Sequence, residues 1–134
     1  MYKHITRALA LSAALLGQAC AFAEETPAAN ARRVHHVVIV WLKDAGSAAA
    51  REQYIAHSRR LSKLPMVLDY KVGTVLPKTR EIVDSSYDIA VVSTFADQAA
   101  IQAYLDHPEH QAIVQEALKP LVARAIVYDF IDAP

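Results

Sequence analysis

The chain has 134 residues, an apolar share of 54%, and 14 basic against 14 acidic residues. That length fits one domain with a sizeable core. A net charge of zero without any basic block argues against nucleic acid or an anionic lipid surface as the main partner, and three glycines are too few for a loop-rich all-β fold.

Residues 1–23 have the form of a secretory signal peptide. Lys3 and Arg7 supply the positive end, and residues 8–16 form an apolar segment too short to span a bilayer. Ala21-Phe22-Ala23 fits the small-x-small cleavage rule, with Glu24 following. The expected location is periplasmic or secreted, with no stable membrane insertion. Cys20 is the single cysteine, and Gly17-Gln18-Ala19 before it makes a poor lipobox. Cleavage after Ala23 removes that thiol, so the mature domain needs no disulfide. With Lys3 and Arg7 gone from the 14 basic residues, 12 face 14 acidic ones, formally −2. Residues 24–33 read as a flexible Ala- and Pro-containing linker, and residues 34–134 as the domain.

Residues 34–42 are rich in β-branched side chains and predict a strand. Alternation sets His36, Val38, Val40 and Leu42 on one face and His35, Val37, Ile39 and Trp41 on the other. Both faces are apolar, so both should be covered. Asp44-Ala45-Gly46-Ser47 is a turn ending in a good N-cap. A helix then runs to about Leu64, where Pro65 stops it, and Tyr54, His57, Leu61 and Leu64 are expected to share its apolar face. Residues 66–76 predict a second strand, with Gly73 marking a bulge or close approach. Residues 77–86 form a charged loop. Residues 87–95 predict a third strand, with Tyr87, Ile89, Val91, Ser93 and Phe95 on one face and Asp88, Ala90, Val92 and Thr94 on the other.

The stretch Tyr104-Leu105-Asp106-His107-Pro108-Glu109-His110 gathers a phenol and two imidazoles within seven residues. Asp97 can cap a helix over residues 98–104. Pro108 suits the first turn of the next helix, with His107 before it as cap, and it biases His107 away from the helical region. Tyr104 and His110 then flank a kink across which they could converge on one cavity. An imidazole titrating near neutrality and a phenol donor form a workable acid–base pair. The plainer reading makes Tyr104 a core residue and His107 a capping residue. That second helix is expected to reach about Leu118, with Pro120 marking its end, and residues 125–131 close the domain as a fourth strand.

The element order is βαββαβ, the ferredoxin-like α+β pattern. Two helices cover one face of such a sheet. Val37, Ile39 and Trp41, together with Ala90, Val92 and Thr94, leave an apolar second face that is rarely left in water. A homodimer pressed sheet to sheet would bury it.

The motif Tyr104-x-x-His107-Pro108-x-His110 resembles the signature of the stress-responsive α/β-barrel (Dabb) family. His36-Val37-Val38-Ile39-Val40, Leu64-Pro65, Val91-Val92-Ser93-Thr94-Phe95-Ala96-Asp97 and Val127-Tyr128-Asp129-Phe130 add to the likeness. The resemblance implies a dimeric α/β barrel. It also implies kinship with cofactor-free polyketide cyclases of the olivetolic acid cyclase type, in which the residues matching Tyr104 and His110 are catalytic. In such a cyclase the first helix lines the cavity, so Tyr54 and His57 gain weight as contacts, and His36, Val91 and His107 are further candidates, for a small, apolar, oxygenated ligand. His57 stands where that cyclase carries a tyrosine, which sets the substrate apart.

Familiar catalytic loops are missing: there is no G-x-S-x-G, Walker loop or G-x-G-x-x-G. His107 and His110 are half a metal site without an evident third ligand in sequence, so neither a metal nor another cofactor is expected. Three readings remain open at this level: an acid–base enzyme of cyclase or lyase type, a ligand-binding or stress-response dimer without turnover, and a cofactor-free monooxygenase by analogy of fold alone.

Overall fold

The computed structural model describes residues 32–134; the expected signal segment and nearly all of the linker lie outside them. Strand β1 spans Val34–Leu42. Gly46, at φ 77°, makes the left-handed turn that follows. Ser47 caps α1, Ala48–Ser58, by accepting from the Ala50 amide at 3.2 Å. The helix tightens into a 3₁₀ segment, Arg59–Lys63, and the chain turns extended at Leu64 before Pro65. Strand β2 is Asp69–Thr74 and β3 is Ile89–Phe95. Asp97 caps α2, Gln98–Asp106, through the Ala100 amide at 2.8 Å. Helix α3, Pro108–Ala112, widens into a π segment, Ile113–Leu118, then a 3₁₀ turn, Lys119–Leu121, leads into β4, Val122–Ile131.

The sheet order is β2-β3-β1-β4 with every neighbouring pair antiparallel, the ferredoxin-like arrangement expected from the element order. The core lies between one sheet face and the helices. Val40 and Leu42 from β1, Ile89, Val91 and Phe95 from β3, Tyr54 and Leu61 from the first helical segment, and Ile101, Tyr104, Ile113 and Leu118 from the second are buried there. Each fully buried aliphatic or aromatic side chain contributes about 1.5–3 kcal/mol. Among the described residues no helix covers the opposite sheet face. Trp41 meets the Arg124 guanidinium on it, 4.6 Å from the ring centre. His35 stacks on Phe130 at 4.7 Å, and Tyr128 and Phe130 are more than half exposed. Among the described residues no helix is long and apolar enough to cross a membrane.

Three local expectations change. Gly73 is no bulge: its strand pairs in continuous register with β3, and a side chain there would meet nothing within 4 Å. The irregularity falls between β1 and β4, where Trp41 pairs with Arg124 but Leu42 with Val122. Asp88 does not follow Ala90 onto the uncovered face. It precedes β3, and its buried carboxylate accepts from the Leu42 amide (3.0 Å), the Gly46 amide (2.8 Å) and Arg51 (3.0 Å). Finally, the helix after Pro108 is not uniformly α-helical; its second half is the π segment.

Candidate functional site

His107 leaves the helical region at φ −64°, ψ 128°, and its imidazole accepts from the Glu109 amide at 3.2 Å. The kink this cap creates turns α3 back toward α2. Tyr104 and His110 thereby come into contact, with ring centres 4.4 Å apart. Tyr104 also packs on Phe95 at 4.8 Å and meets the edge of His36 at 6.3 Å. One phenol therefore stands between two imidazoles that are 74 residues apart in sequence.

His36, Tyr104 and His110 line a small, partly open cavity of about 80 Å³ between helices and sheet. Its wall consists of His36, Tyr54, Ser58, Tyr70, Tyr104 and His110, with Val38, Leu61, Val91, Val114 and Leu118 as the apolar part. An apolar cavity of roughly 150 Å³ holds benzene, so this space suits a molecule of few heavy atoms or the reacting end of a longer one.

The structure brings together five of the seven candidates from the sequence: Tyr104, His110, His36, Tyr54 and Val91. The other two, His57 and His107, do not line the cavity. On α1 the residue a full turn beyond Tyr54 is Ser58, at i+4, and it is Ser58 that is buried while His57 is only half-buried. His107 is spent as the cap of α3. Three residues that sequence reasoning missed complete the site. Ser58 and Tyr70 share a short hydroxyl–hydroxyl hydrogen bond of 2.5 Å. Asp129 on β4 sits opposite His36 in register, and its carboxylate accepts from His36 Nδ1 at 2.6 Å. That bond fixes the orientation of the His36 ring, which lines the cavity.

Burial sets the electrostatics. The Tyr104 and Tyr54 hydroxyls are pushed well above the ordinary tyrosine value by desolvation, with the neighbouring phenols adding to it. Tyr70 is pushed up to about 12 by burial, its bond to Ser58 working the other way. All three are neutral donors at physiological pH. Burial pushes the His110 imidazole below 6.5, against the pull of the Leu105 carbonyl; His36 and His107 lower it further. His110 is thus neutral at pH 7 and free to take a proton. Among the described residues its buried Nδ1 has no hydrogen-bond partner, and neither has the buried Ser93 hydroxyl on β3. Of the two residues only His110 lines the cavity, and an orphaned buried nitrogen there calls for water or a ligand. Among the described residues no three His, Cys, Asp or Glu side chains gather as a metal-ligand set.

A family model described as the Stress responsive A/B Barrel Domain, Dabb, matches residues 34–132. Among solved structures, a Dabb family protein with a ferredoxin-like fold from Mesorhizobium loti is 25% identical, with 77% of this chain and 99% of that one covered at a TM-score of 0.65. A dimeric ferredoxin-like protein from Thermobifida fusca is 24% identical, covering 76% and 92% at a TM-score of 0.62. A hydroxynitrile lyase from Passiflora edulis is 24% identical, covering 75% and 94% at a TM-score of 0.65. No curated protein is similar enough to match.

Proposed function

The chain belongs to the stress-responsive A/B barrel (Dabb) domain family, and from that premise we propose that it is an exported homodimer performing cofactor-free acid–base chemistry, of cyclase or lyase type, on a small oxygenated molecule. The observation that carries the reading is the meeting of His36, Tyr104 and His110 around one small cavity, with Asp129 behind His36. His110 is neutral and takes or relays a proton. The Tyr104 phenol remains protonated and donates to an oxygen as negative charge develops on it. His36, oriented by Asp129, presents a second imidazole to the same space. The lyase of Passiflora edulis gives precedent for an enzyme on this fold; its substrate is not carried over.

The dimer would form through the uncovered sheet face around Val37, Ile39 and Trp41. Several structural neighbours are described as dimeric, which supports this part of the reading. A second reading, a ligand-binding dimer without turnover, is favoured by the small volume of the cavity.

Ligand identification on purified mature protein, followed by turnover assays on wild type, Tyr104→Phe and His110→Ala, tests the proposal. An enzyme loses turnover in both variants while the fold survives, and the double variant loses less than the product of the two because both groups serve one step. A binder shows changed affinity with no turnover to lose. Unchanged binding and turnover in both variants removes the site assignment.

A further inference from the structure

The small cavity and a second, more open space share one wall residue, Tyr70. This residue lines the cavity with His36, Tyr104 and His110, and it also lines a surface groove of about 540 Å³ formed by Arg59, Ser62, Lys63, Lys71 and Val72. The groove runs between the 3₁₀ segment after α1 and β2, an edge strand of the sheet. It carries three cations. Lys71 is paired with Asp69, whereas Arg59 and Lys63 form no ion pair among the described residues.

The cavity behind Tyr70 has a matching bias. No carboxylate lines it. Its polar wall is made of three phenols, one serine hydroxyl and two imidazoles, and burial keeps the phenols protonated. Asp129 touches His36 but stands outside the lining. A wall rich in neutral donors and free of fixed negative charge favours an anionic oxygen, and a basic approach raises the local concentration of anions.

We propose that the substrate class of this site is small carboxylates, which approach along the Arg59–Lys63 groove and pass Tyr70, so that the carboxylate is received by the phenol and Ser58 hydroxyls. The inference deepens the acid–base reading of the site and rests on it. The Ser58–Tyr70 hydrogen bond lies at the junction of the two spaces, so Tyr70 must reorient its hydroxyl as the anion enters.

The test uses the mature protein with histidine side chains observed by NMR, titrated with propionate and with its neutral isostere propionamide. The expected result is that propionate shifts the His36 and His110 signals and propionamide binds more weakly. Arg59→Gln/Lys63→Gln should weaken propionate by about three- to tenfold at low salt and leave propionamide unchanged. A control pair, Lys43→Gln/Lys119→Gln, changes the net charge equally but lies outside the groove and should have little effect. The difference should shrink between about 0.01 M and 0.15 M ionic strength, as the screening length falls from roughly 30 to 8 Å. Equal binding of propionate and propionamide, indifference to the groove charges, or no response of either histidine to propionate would each overturn the carboxylate assignment. None of these touches the acid–base reading, which stands or falls on turnover in Tyr104→Phe and His110→Ala.

Discussion

Tyr104 is 2% exposed and in contact with His110, Phe95 and the edge of His36, so its ring and its hydroxyl do separable jobs. Tyr104→Phe keeps the ring and its packing. The melting temperature is expected to stay within about 3 °C of wild type, while turnover on the identified substrate falls by about 10²–10³-fold, the usual loss for one oxyanion donor. A large loss of stability instead would make the hydroxyl structural. His110 gives a pH signature. Its folded value lies below 6.5, so as pH falls through about 6.5 the unfolded chain takes the proton first. Stability is therefore full above that point and declines as pH drops toward the folded value. Denaturant unfolding of wild type and His110→Gln from about pH 7.5 down to about pH 5, spanning the ordinary histidine value, should show a steeper decline for wild type. Identical slopes would mean that His110 does not titrate differently on folding.

At the scale of elements, Asp88 ties the end of β1, the turn at Gly46 and the start of α1 to the entry of β3. Burial alone would raise its carboxyl, but the Leu42 and Gly46 amides and the Arg51 guanidinium together hold it below the usual carboxylate range. Its contribution is present above the unfolded value of about 3.9 and is lost as pH falls through the lower folded value. Asp88→Asn cannot accept at both oxygens and removes the charge facing Arg51. It should cost about 1–3 kcal/mol at pH 7 in urea unfolding, with the gap to wild type closing in acid. An equal stability at pH 7 would show that Arg51 and the turn find other partners. The π segment Ile113–Leu118 matters in the same way, since Val114 and Leu118 from it close the cavity beside His110.

For the whole molecule, the uncovered sheet face is the open question of assembly. If two copies meet there, Ile39→Lys buries a charge without a partner and should give a monomer by light scattering. A dimer that survives this change forms elsewhere. The same scale includes export. Secreted protein should begin at Glu24 by intact-mass measurement, and a diacylglycerol on Cys20 would instead place it on a membrane.

The βαββαβ order was legible because each element announces itself locally. Residues 34–42 alternate with β-branched side chains, Ser47 and Asp97 are caps, and Pro65 and Pro108 are breaks that act through their own backbone chemistry. The nearness of Tyr104 and His110 was legible for the same reason, since only a short kinked segment joins them. His36 and Asp129, 93 residues apart, could not be paired from sequence. Their contact depends on the β1–β4 register, where a shift of one residue sends every side chain to the other face. Ser58 in place of His57 was decided by which face α1 buries, the one carrying Tyr54 and Ser58, and Tyr70 by the pairing of β2 with β3. Local propensity and capping thus determined the elements and one half of the site. The other half, with its histidine–aspartate pair and the Tyr70 phenol, was decided by long-range pairing, because only the assembled sheet fixes which distant side chains share a face.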